Sequence, residues 1–322
     1  MSRVLTGIQS SGVPHLGNIL GAIEPAIELS KNNESLFFIA DLHALTTIKQ
    51  ASKLKYNSLH TAAAWLACGL NTKNSIFYRQ SDVKQVTELM WYLNCITPYP
   101  MLANAHSFKD KMNRLSDVNA GLFTYPVLMA ADIILYDANV VPVGKDQLQH
   151  LEMTRDLAGK FNHVFGETFI IPEISINDNT MIIPGTNGHK MSKSYNNCIN
   201  VFLPEKLLKK QVMSILTDSK SLEEKKDPLK CNIYNIYKMI ATNEEQEKLK
   251  AKYLNGGYGY GHAKTELLDL ILNRYKSQRA TFNKLINDPH YIEEELQKGA
   301  KRAREIAEHV ISRVKSKLGL MR

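Results

Sequence analysis

The run VLTGIQSSGVPHLGN at residues 4–18 decides the class of fold. It opens with a mostly apolar stretch, passes through a turn that contains glycine, and ends in residues that suit the start of a helix. This is the pattern of a strand–turn–helix unit in a parallel α/β sheet. Glycine lets the backbone of such a turn approach a ligand, and the free N–H groups of the helix N-terminus attract phosphate. An ordinary βα turn has the same pattern, so this run alone leaves both interpretations open.

The first 200 residues repeat this alternation of strand and helix. Apolar stretches predict strands at residues 4–8, 36–40, 76–78, 140–143 and 181–183. Helical periodicity predicts helices at residues 17–30, 52–70, 85–96, 121–136 and 146–161. Pro25 predicts a kink or break within the first helix, and Ser52 is the expected N-cap of the second. The pattern is that of an α/β domain with a parallel sheet.

After residue 201 the strand pattern stops, and helices are predicted at residues 204–216, 232–241, 264–286 and 289–318. The last helix has clear boundaries, because Asp288 can cap it, Pro289 suits its first turn and Gly319 suits its exit. Its apolar residues recur at steps of three and four, which predicts one packing stripe. These residues are Ile292, Leu296, Ala300, Ala303, Ala307, Val310 and Val314. The glycines between 256 and 261, interleaved with two tyrosines, predict an ordered turn between helices.

The composition is that of a globular protein, with 322 residues, 44% hydrophobic and 22% charged. No apolar run approaches the roughly 18 residues that a membrane span needs, and the first residues lack the apolar region of a secretion signal. The four cysteines are too far apart in the sequence for a CxxC metal site. We expect them to be reduced thiols of a cytoplasmic protein.

The positive charge is confined to one part of the chain. Residues 1–200 carry 16 basic and 16 acidic residues, whereas residues 201–322 carry 24 basic and 16 acidic residues, so the whole net charge of +8 lies in the second part. A cationic surface on one domain indicates a polyanionic partner such as a nucleic acid. A lysine-rich helical domain without such a partner would have the same charge, and the charge alone does not separate the two.

The run KMSKS at residues 190–194 lies on a glycine-bearing loop between the α/β part and the helical part. Two lysines on such a loop can close over a triphosphate and neutralise the charge that develops on leaving pyrophosphate. A solvated basic loop would explain two lysines alone. The full pentapeptide, together with residues 4–18 at the expected end of the sheet, favours the phosphate-binding interpretation.

The two runs together resemble the signatures of the class I aminoacyl-tRNA synthetases. Residues 14–18, PHLGN, stand in the place of the HIGH signature, with Asn18 instead of the last histidine, as is usual in the tryptophanyl and tyrosyl branch. Residues 190–194 match the KMSKS signature. The bacterial tryptophanyl enzymes are the most similar, over nearly the whole chain, although family members often have Glu in place of Lys145. Further matching segments are GIQ at 7–9, DLHA at 41–44, GLFTYP at 121–126, MAADI at 129–133 and VPVGKDQ at 141–147.

The resemblance implies three regions: a Rossmann-like, parallel-sheet catalytic domain at 1–203, an all-helical anticodon-binding domain at 204–288, and a helix within 289–322 that packs back on the catalytic domain. It implies a cytoplasmic ligase that activates L-tryptophan with ATP, giving tryptophanyl-adenylate and pyrophosphate, and then transfers tryptophan to the 3′ end of tRNA(Trp). Mg²⁺ would be held mainly by the ATP phosphates rather than by protein ligands. The enzyme is expected to be a homodimer with no membrane partner.

The helical spacing of Tyr125, Met129 and Asp132 places these residues on one face of a helix. An acidic residue on such an apolar stripe is by itself more often a paired core residue than a ligand contact. The resemblance implies instead that Asp132 accepts a hydrogen bond from the indole N–H and that Met129 forms apolar wall. The implied tryptophan-binding residues are Leu5, Gly7, His43, Tyr125, Met129, Asp132, Val141, Val143 and Gln147.

The resemblance also implies which residues bind ATP. They are Gln9, Ser10, Ser11, His15, Gly17, Asn18, Gly144, Lys145, Asp146, Lys190, Met191, Ser192, Lys193 and Ser194. The implied catalytic residues are Lys190, Lys193 and Lys111, of which Lys111 would otherwise be read as solvated surface. Catalysis would consist of alignment and electrostatic stabilisation, without a covalent protein intermediate.

Three alternatives remain at this stage. A tyrosyl-tRNA synthetase shares the fold and the motifs, but the apolar Met129 does not suit the polar end of a phenol. A small-molecule nucleotidyltransferase could use the first signature, but it explains neither the basic helical domain nor the KMSKS run. An RNA-binding paralogue without catalysis would not need the intact Gly17, Asn18, Lys190 and Lys193.

Overall fold

A five-stranded parallel sheet forms the centre of the α/β part. The computed structural model describes residues 2–112, 118–144, 147–176 and 183–321, and within them the strand order is β3-β2-β1-β4-β5. The strands are β1 (Arg3–Gln9), β2 (Glu34–Ala40), β3 (Ser75–Arg79), β4 (Val140–Val143) and β5 (Glu173–Ile176). The predicted parallel α/β fold is confirmed, and the first four strands lie where the sequence predicts them.

The fifth predicted strand, at residues 181–183, is described only at Ile183. Strand β5 lies at Glu173–Ile176 and pairs with all four residues of β4. Ile183 is buried but belongs to no strand, and its carbonyl oxygen accepts a hydrogen bond from the Met191 N–H at 2.8 Å. Residues 181 and 182 lie outside the described residues. Strand β5 is not predicted by the sequence, because Glu173–Ile176 is only four residues long and alternates polar with apolar residues.

The helix that follows the glycine-bearing turn changes type before Pro25. Helix α1 (Leu16–Asn18) leads into a π-helical segment at Ile19–Ile23, and α2 (Glu24–Leu29) follows. Proline lacks an N–H, and its ring clashes with the carbonyl group four residues earlier in a regular α-helix. The wider π turn accommodates the proline before α-helical bonding resumes. The predicted interruption near Pro25 is therefore confirmed.

The other helices of the α/β part are α3 (Asp41–Ala44), α4 (Ala51–Ala67), α5 (Gln85–Asn94), α6 (Tyr99–Ala103), α7 (His106–Met112), α8 (Ala120–Ile134) and α9 (Leu148–Phe165). The short helices α3, α6 and α7 are not predicted by the sequence. The prediction of Ser52 as an N-cap is wrong, because the N-cap of α4 is Gln50, without a side-chain capping bond. Asn119 does cap α8, since its side chain accepts a hydrogen bond from the Leu122 N–H.

The C-terminal part contains no strand among its described residues, and its helices are α10 (Glu205–Met213), α11 (Asn232–Tyr237), α12 (Asn243–Asn255), α13 (Tyr260–Arg274), α14 (Lys276–Asn287) and α15 (Pro289–Lys317). The predicted helix at 264–286 is two helices that break at Tyr275, and α12 is not predicted. The glycine-rich turn between α12 and α13 is confirmed, with positive φ at Gly256 and Gly257. Gly319 has the positive φ expected after a helix, whereas the Asp288 side chain makes no capping bond.

Helix α15 returns to the sheet and lies against strand β3. All seven residues of its predicted apolar stripe are fully buried. Gly299 faces the backbone of Phe77 so closely that a methyl group at this position would overlap the Phe77 carbonyl oxygen. Arg302 donates to the carbonyl oxygen of Ser75 at 3.0 Å. The helix therefore covers an edge strand of the sheet.

Two hydrophobic cores hold the parts together. One core joins residues of the sheet, such as Phe37 and Phe77, to α10–α14 and to the first turns of α15. The other lies on the opposite face, between the sheet, α5, α8, α9 and the remainder of α15. No helix among the described residues is long and apolar enough to cross a membrane.

Candidate active site

The crevice at the carboxyl ends of β1 and β4 is the place where the strand order reverses. In open parallel sheets ligands bind at this switch point, because the loops that follow the two strands run in opposite directions and leave a gap. Strand β1 ends at Gln9 and leads into the glycine-bearing turn, and β4 ends at Val143. Side chains of α3, α8 and the turn after β3 border the same edge of the sheet.

The glycine-bearing turn touches the KMSKS loop directly. The Lys193 ammonium group donates to the Gly12 carbonyl oxygen at 2.7 Å. The Gly17 N–H points at the Met191 sulfur at 3.3 Å, and a Cβ at Gly17 would lie about as close to the His15 ring as side chains tolerate. The structure thus brings together the two runs that the sequence singles out, although 174 residues separate Gly17 from Met191.

His15 is a buried, uncharged residue in this crevice at neutral pH. Burial and, to a smaller extent, the positive charge of Lys193 together lower the pKa of His15 to about 4. The His15 backbone N–H donates to the Asn18 side-chain oxygen at 3.2 Å. Asn18 therefore stabilises the start of α1, because its side chain accepts a hydrogen bond from the backbone N–H of the residue before the helix.

One asparagine holds the KMSKS loop in shape. The Asn197 side-chain amide donates to the Asn187 side chain at 2.7 Å and to the Lys190 carbonyl oxygen at 3.1 Å, and its oxygen accepts from the Ser192 N–H at 2.8 Å. Gly185 packs so closely on Asn197 that any side chain would overlap it. Met191 is buried in the core, so the loop is anchored at its centre.

Lys193 is partly buried, and its pKa is lower than that of an exposed lysine. Burial lowers the pKa of Lys193 to about 8, with a small opposing effect from Cys198. The same burial raises the pKa of the Cys198 thiol to about 11, so this thiol is uncharged at neutral pH. A cavity of about 370 Å³ adjoins both side chains and extends to Lys210, Gln211 and Ser214 at the end of α10.

A buried carboxylate lies at the bottom of the crevice. Asp132 is 2% exposed, and the Gln80 amide nitrogen lies 2.8 Å from each of its oxygens. The His43 Nε2 lies 2.8 Å from Oδ2 of the same carboxylate. Burial raises the pKa of Asp132, and the hydrogen bonds from His43 and Gln80 lower it. The charged form is thus stabilised by donors rather than by water.

A second chain of hydrogen bonds runs along the other wall. The Tyr125 hydroxyl lies 3.0 Å from Nε2 of His150, and Nδ1 of His150 lies 3.0 Å from the Gln147 side-chain oxygen. His150 is buried, so it links the two residues inside the protein. Tyr125 also meets the His43 ring edge to face, at 6.1 Å between ring centroids.

Apolar residues complete the crevice. Leu5, Val141 and Val143 are buried, and Met129 is partly buried against the same core. Gly7 lies against the Phe38 ring, where a Cβ would overlap the ring. A smaller cavity of about 140 Å³ adjoins Tyr125 and is lined mostly by apolar residues of α3, α5 and α8. Among the described residues, no three His, Cys, Asp or Glu side chains gather as a metal site.

Comparison with known proteins assigns the family. Residues 1–276 match the family model described as "tRNA synthetases class I (W and Y)". The tryptophan–tRNA ligase of Fusobacterium nucleatum is 49% identical over 322 residues, which cover 100% of this chain and 99% of that protein. The chain belongs to this family. It is an aminoacyl-tRNA synthetase.

Solved structures agree with this assignment. The tryptophanyl-tRNA synthetase of Campylobacter jejuni, crystallised with ADP and tryptophan, superimposes with a TM-score of 0.95 at 46% identity, covering 99% of this chain and 100% of that one. The tryptophanyl-tRNA synthetase of Mycoplasma pneumoniae has a TM-score of 0.81 at 28% identity, with coverage of 100% and 98%. The family excludes the interpretation as a small-molecule nucleotidyltransferase.

The synthetase fold places the predicted ATP-site residues in different surroundings. His15, Gly17, Met191 and Lys193 meet at the contact between the signatures. The Gln9 side chain donates to the His43 carbonyl oxygen at 3.1 Å. Ser10 is fully buried, and its hydroxyl accepts a hydrogen bond from Ser58. Ser11 and Lys190 are exposed, whereas Gly144 and Ser192 are partly buried. Lys145, Asp146 and the side chains of Lys111 and Ser194 lie outside the described residues.

Three polar residues of the synthetase site are missed by the sequence analysis. Gln80 and Asn197 belong to no signature, and His150 reads as an ordinary polar contact. Gln80 does carry one signal, because it is a polar residue directly after a buried strand, at the edge of the sheet where ligands bind. Asn197 and His150 carry none, since Asn197 bonds mainly within its own loop and His150 lies on a helix face that periodicity alone assigns to the core.

Proposed function

We propose that this synthetase is a tryptophan–tRNA ligase that activates L-tryptophan with ATP and then transfers it to tRNA(Trp). The observation that carries the proposal is the buried Asp132 carboxylate in an apolar crevice, next to the contact between the two signatures. A carboxylate in this position accepts one hydrogen bond from a large, apolar ligand with an N–H group, and the indole ring is such a ligand. The names of the full-length relatives support the same substrate.

In the first step the tryptophan carboxylate attacks the α-phosphorus of ATP, and pyrophosphate leaves. The glycine-bearing turn and the N-terminus of α1 hold phosphate through backbone N–H groups. Lys190 and Lys193 neutralise the charge that grows on the pyrophosphate, and Lys111 is a third cation for the same task. No covalent protein intermediate is required, because the two substrates react with each other once they are aligned.

Mg²⁺ accompanies the ATP in this proposal. A hard cation prefers oxygen ligands, and it binds phosphate oxygens while retaining waters. The described side chains at the signature contact are cationic or neutral, led by Lys193, and they offer no carboxylate to a metal ion. The phosphates of ATP therefore hold the ion, and the ion neutralises part of their charge.

The tryptophan side chain lies between the apolar wall and Asp132. The faces and edges of the ring contact Leu5, Met129, Val141 and Val143. Gly7 has no side chain and leaves room for these contacts. Asp132 accepts a hydrogen bond from the indole N–H. Tyr125 and Gln147, which His150 links, face the ammonium group of the amino acid. His43 supports Asp132 from the opposite side.

The helical part at residues 204–288 contacts the tRNA away from its acceptor end. Its support is the charge distribution, since the whole excess of positive charge lies after residue 200. The tRNA 3′-terminal ribose then attacks the adenylate at the crevice, and AMP leaves. Residues 289–322 return to the catalytic domain and connect the tRNA-binding surface to the sheet.

The synthetase works as a homodimer in the cytoplasm. Exposed apolar side chains near α3, α5, α6, α7 and α8 support the dimer, since such side chains favour burial against a partner. They are Leu45, Trp91, Tyr99, Met112 and Val118, which are 43–72% exposed. The four free cysteines are compatible with a reducing compartment.

Pyrophosphate exchange measured with each of the twenty amino acids tests the proposal. We expect exchange with tryptophan alone, and charging of tRNA(Trp) when that tRNA is added. Exchange with tyrosine instead would identify a tyrosyl enzyme. Exchange with no amino acid, from a folded protein that still binds tRNA, would identify a non-catalytic paralogue.

A further inference from the structure

We propose that Gln80 is a positioning residue of the tryptophan pocket: its amide group holds both oxygens of the Asp132 carboxylate and fixes the direction in which the carboxylate accepts a hydrogen bond. This inference rests on the proposed function, because it gives Asp132 the indole N–H as its ligand. It adds a determinant of specificity that belongs to neither signature.

The orientation of the Gln80 amide is determined by its surroundings. Gln80 opens a 3₁₀ turn directly after β3, and it is fully buried. Its side-chain oxygen accepts from the Leu42 N–H at 3.1 Å and from the His43 N–H at 3.4 Å, both in α3. A backbone N–H can only donate, so the amide oxygen must face α3 and the NH₂ group must face Asp132.

Gln80 and His43 leave part of the carboxylate open to a ligand. The Gln80 nitrogen reaches both oxygens of Asp132 at 2.8 Å, whereas His43 reaches only Oδ2. A carboxylate has about four lone-pair positions, and these contacts occupy three of them. The remaining position is on Oδ1, on the side away from His43, so the donors restrict a ligand N–H to one direction of approach.

The two donors favour the charged form of Asp132. Burial raises its pKa, and the nearby Asp41 carboxylate raises it further. The hydroxyl groups of Tyr78 and Tyr136 also interact with this charge, and burial raises the pKa of each, so both stay neutral and add no second negative charge. Only His43 and Gln80 lower the pKa of Asp132. A protonated carboxyl group donates with its O–H and offers a weaker acceptor to the indole.

The fixed direction also explains why the pocket needs an amide rather than a second histidine or a lysine. A charged donor would form an ion pair with Asp132. The carboxylate would then be stabilised even when the ligand has no N–H group. A neutral amide supplies hydrogen bonds without neutralising the charge, so an amino acid that lacks the donor leaves a buried charge incompletely paired. Such unpaired charge is the source of strong discrimination.

Two variants and one matched control test the inference. Gln80→Met keeps the length of the side chain and removes its polar atoms, and Gln80→Glu replaces the donor by a second acid. Gln85→Met is the control, because Gln85 is also buried, lies on α5 and bonds Glu308 instead of the site. The substrates are tryptophan and 3-benzothienylalanine, in which sulfur replaces the indole N–H, and pyrophosphate exchange is followed between about pH 5 and 9.

For Gln80→Met we expect the ratio of kcat/KM for tryptophan over the analogue to fall about 10-fold. This is the effect expected for the loss of a hydrogen bond to a charged group, and it should appear as a higher KM for tryptophan. We expect the acidic fall in kcat/KM to move up by about one pH unit, because Asp132 takes up a proton more readily. Gln80→Glu should instead lose tryptophan selectivity most at high pH, where two carboxylates face each other. Gln85→Met should change neither the ratio nor the pH profile.

An unchanged ratio and pH profile in a folded Gln80→Met protein would overturn the inference and leave Gln80 as a packing residue. An acidic fall that moves equally in Gln85→Met would also overturn it, because the effect would then be general. These outcomes differ from a failure of the proposed function, in which the unmodified enzyme shows no exchange with tryptophan at all.

Discussion

Lys193 is the charged side chain at which the two signatures touch, and its burial sets the pH at which it carries charge. Its pKa is lowered to about 8 in the unliganded protein. Below this pH the ammonium form is available to stabilise pyrophosphate, and above it the neutral amine predominates. Bound phosphate favours the charged form again, so the free enzyme and the ATP complex differ in their alkaline limits.

We therefore expect kcat/KM for ATP, which reports the free enzyme, to fall above about pH 8, while kcat falls only at higher pH. Lys193→Arg should remove the fall near pH 8, because a guanidinium group stays charged. Lys193→Ala should lower adenylate formation about 10²–10³-fold at every pH while tryptophan still binds. A fall near pH 8 that persists in Lys193→Arg would assign it to another group.

Asp132→Asn tests the choice of amino acid. The amide is a weaker acceptor than the carboxylate, so we expect the ratio of kcat/KM for tryptophan over phenylalanine to decrease about 10- to 100-fold, with less effect on the reaction of bound tryptophan. Asp137→Asn is the control, because Asp137 pairs with Arg313 at the surface. An unchanged ratio would mean that the shape of the pocket selects tryptophan.

The sequence predicts Lys193 and Asp132 because each lies in a run whose chemistry or resemblance is visible locally. It does not predict Gln80, because only the fold brings its partners near. It does not predict Asn197, because a loop sequence does not show which nearby groups a side chain will bond. Gln80 joins the ends of β2 and β3 to α8, and Asn197 closes a loop through backbone carbonyl groups. Neither arrangement leaves a periodic or compositional pattern.

At the scale of elements, helix α15 packs directly against the backbone of strand β3. We expect Gly299→Ala to destabilise the protein by about 1–3 kcal/mol, because the methyl group would force the helix away from Phe77. Gly261→Ala is the matched control, since it lies near the start of α13 in open space and should be neutral or stabilise by about 0.5–1 kcal/mol. Thermal unfolding of both variants gives the comparison, and equal midpoints would contradict this packing.

The elements were predicted best where a long pattern repeats. The stripe of α15 extends over about six turns, and every predicted residue in it is buried. Short elements are predicted worst: Glu173–Ile176 has only two apolar residues, too few to show a period, and it becomes a strand by pairing with β4. The break between α13 and α14 was missed for a different reason: Tyr275 fits the helical period, but its hydroxyl reaches Glu24 on α2 at 3.4 Å, a contact that only the packed structure contains.

At the scale of the whole molecule, the main feature is the excess of positive charge after residue 200. One lysine of this part is buried and does not belong to a surface that could bind phosphate. Lys226 is 2% exposed, and its ammonium group donates to the carbonyl oxygens of Ser221, Leu222 and Glu224. It holds the segment before α11 together and does not face solvent. Lys206, Lys209 and Lys225 are exposed and remain available to phosphate.

We expect the combined change of Lys206, Lys209 and Lys225 to Glu to raise KM for tRNA and leave tryptophan-dependent pyrophosphate exchange unchanged. If each lysine contacts one phosphate, the log–log slope of tRNA affinity against salt should become less steep by about 2–3. The control changes Lys53, Lys55 and Lys73 to Glu, which alters the net charge equally on the α/β part. Equal effects of the two sets would mean that net charge, rather than a local surface, attracts the tRNA.

The return of α15 to β3 has a consequence for the nascent chain. Strand β3 leaves the ribosome long before the helix that covers its open edge, because 227 residues separate Ser75 from Arg302. Until α15 has been made, the unpaired backbone of that edge is a template for pairing with other chains. Prematurely terminated products that lack α15 should therefore aggregate or be degraded, and only chains that include α15 should give a catalytic domain that persists.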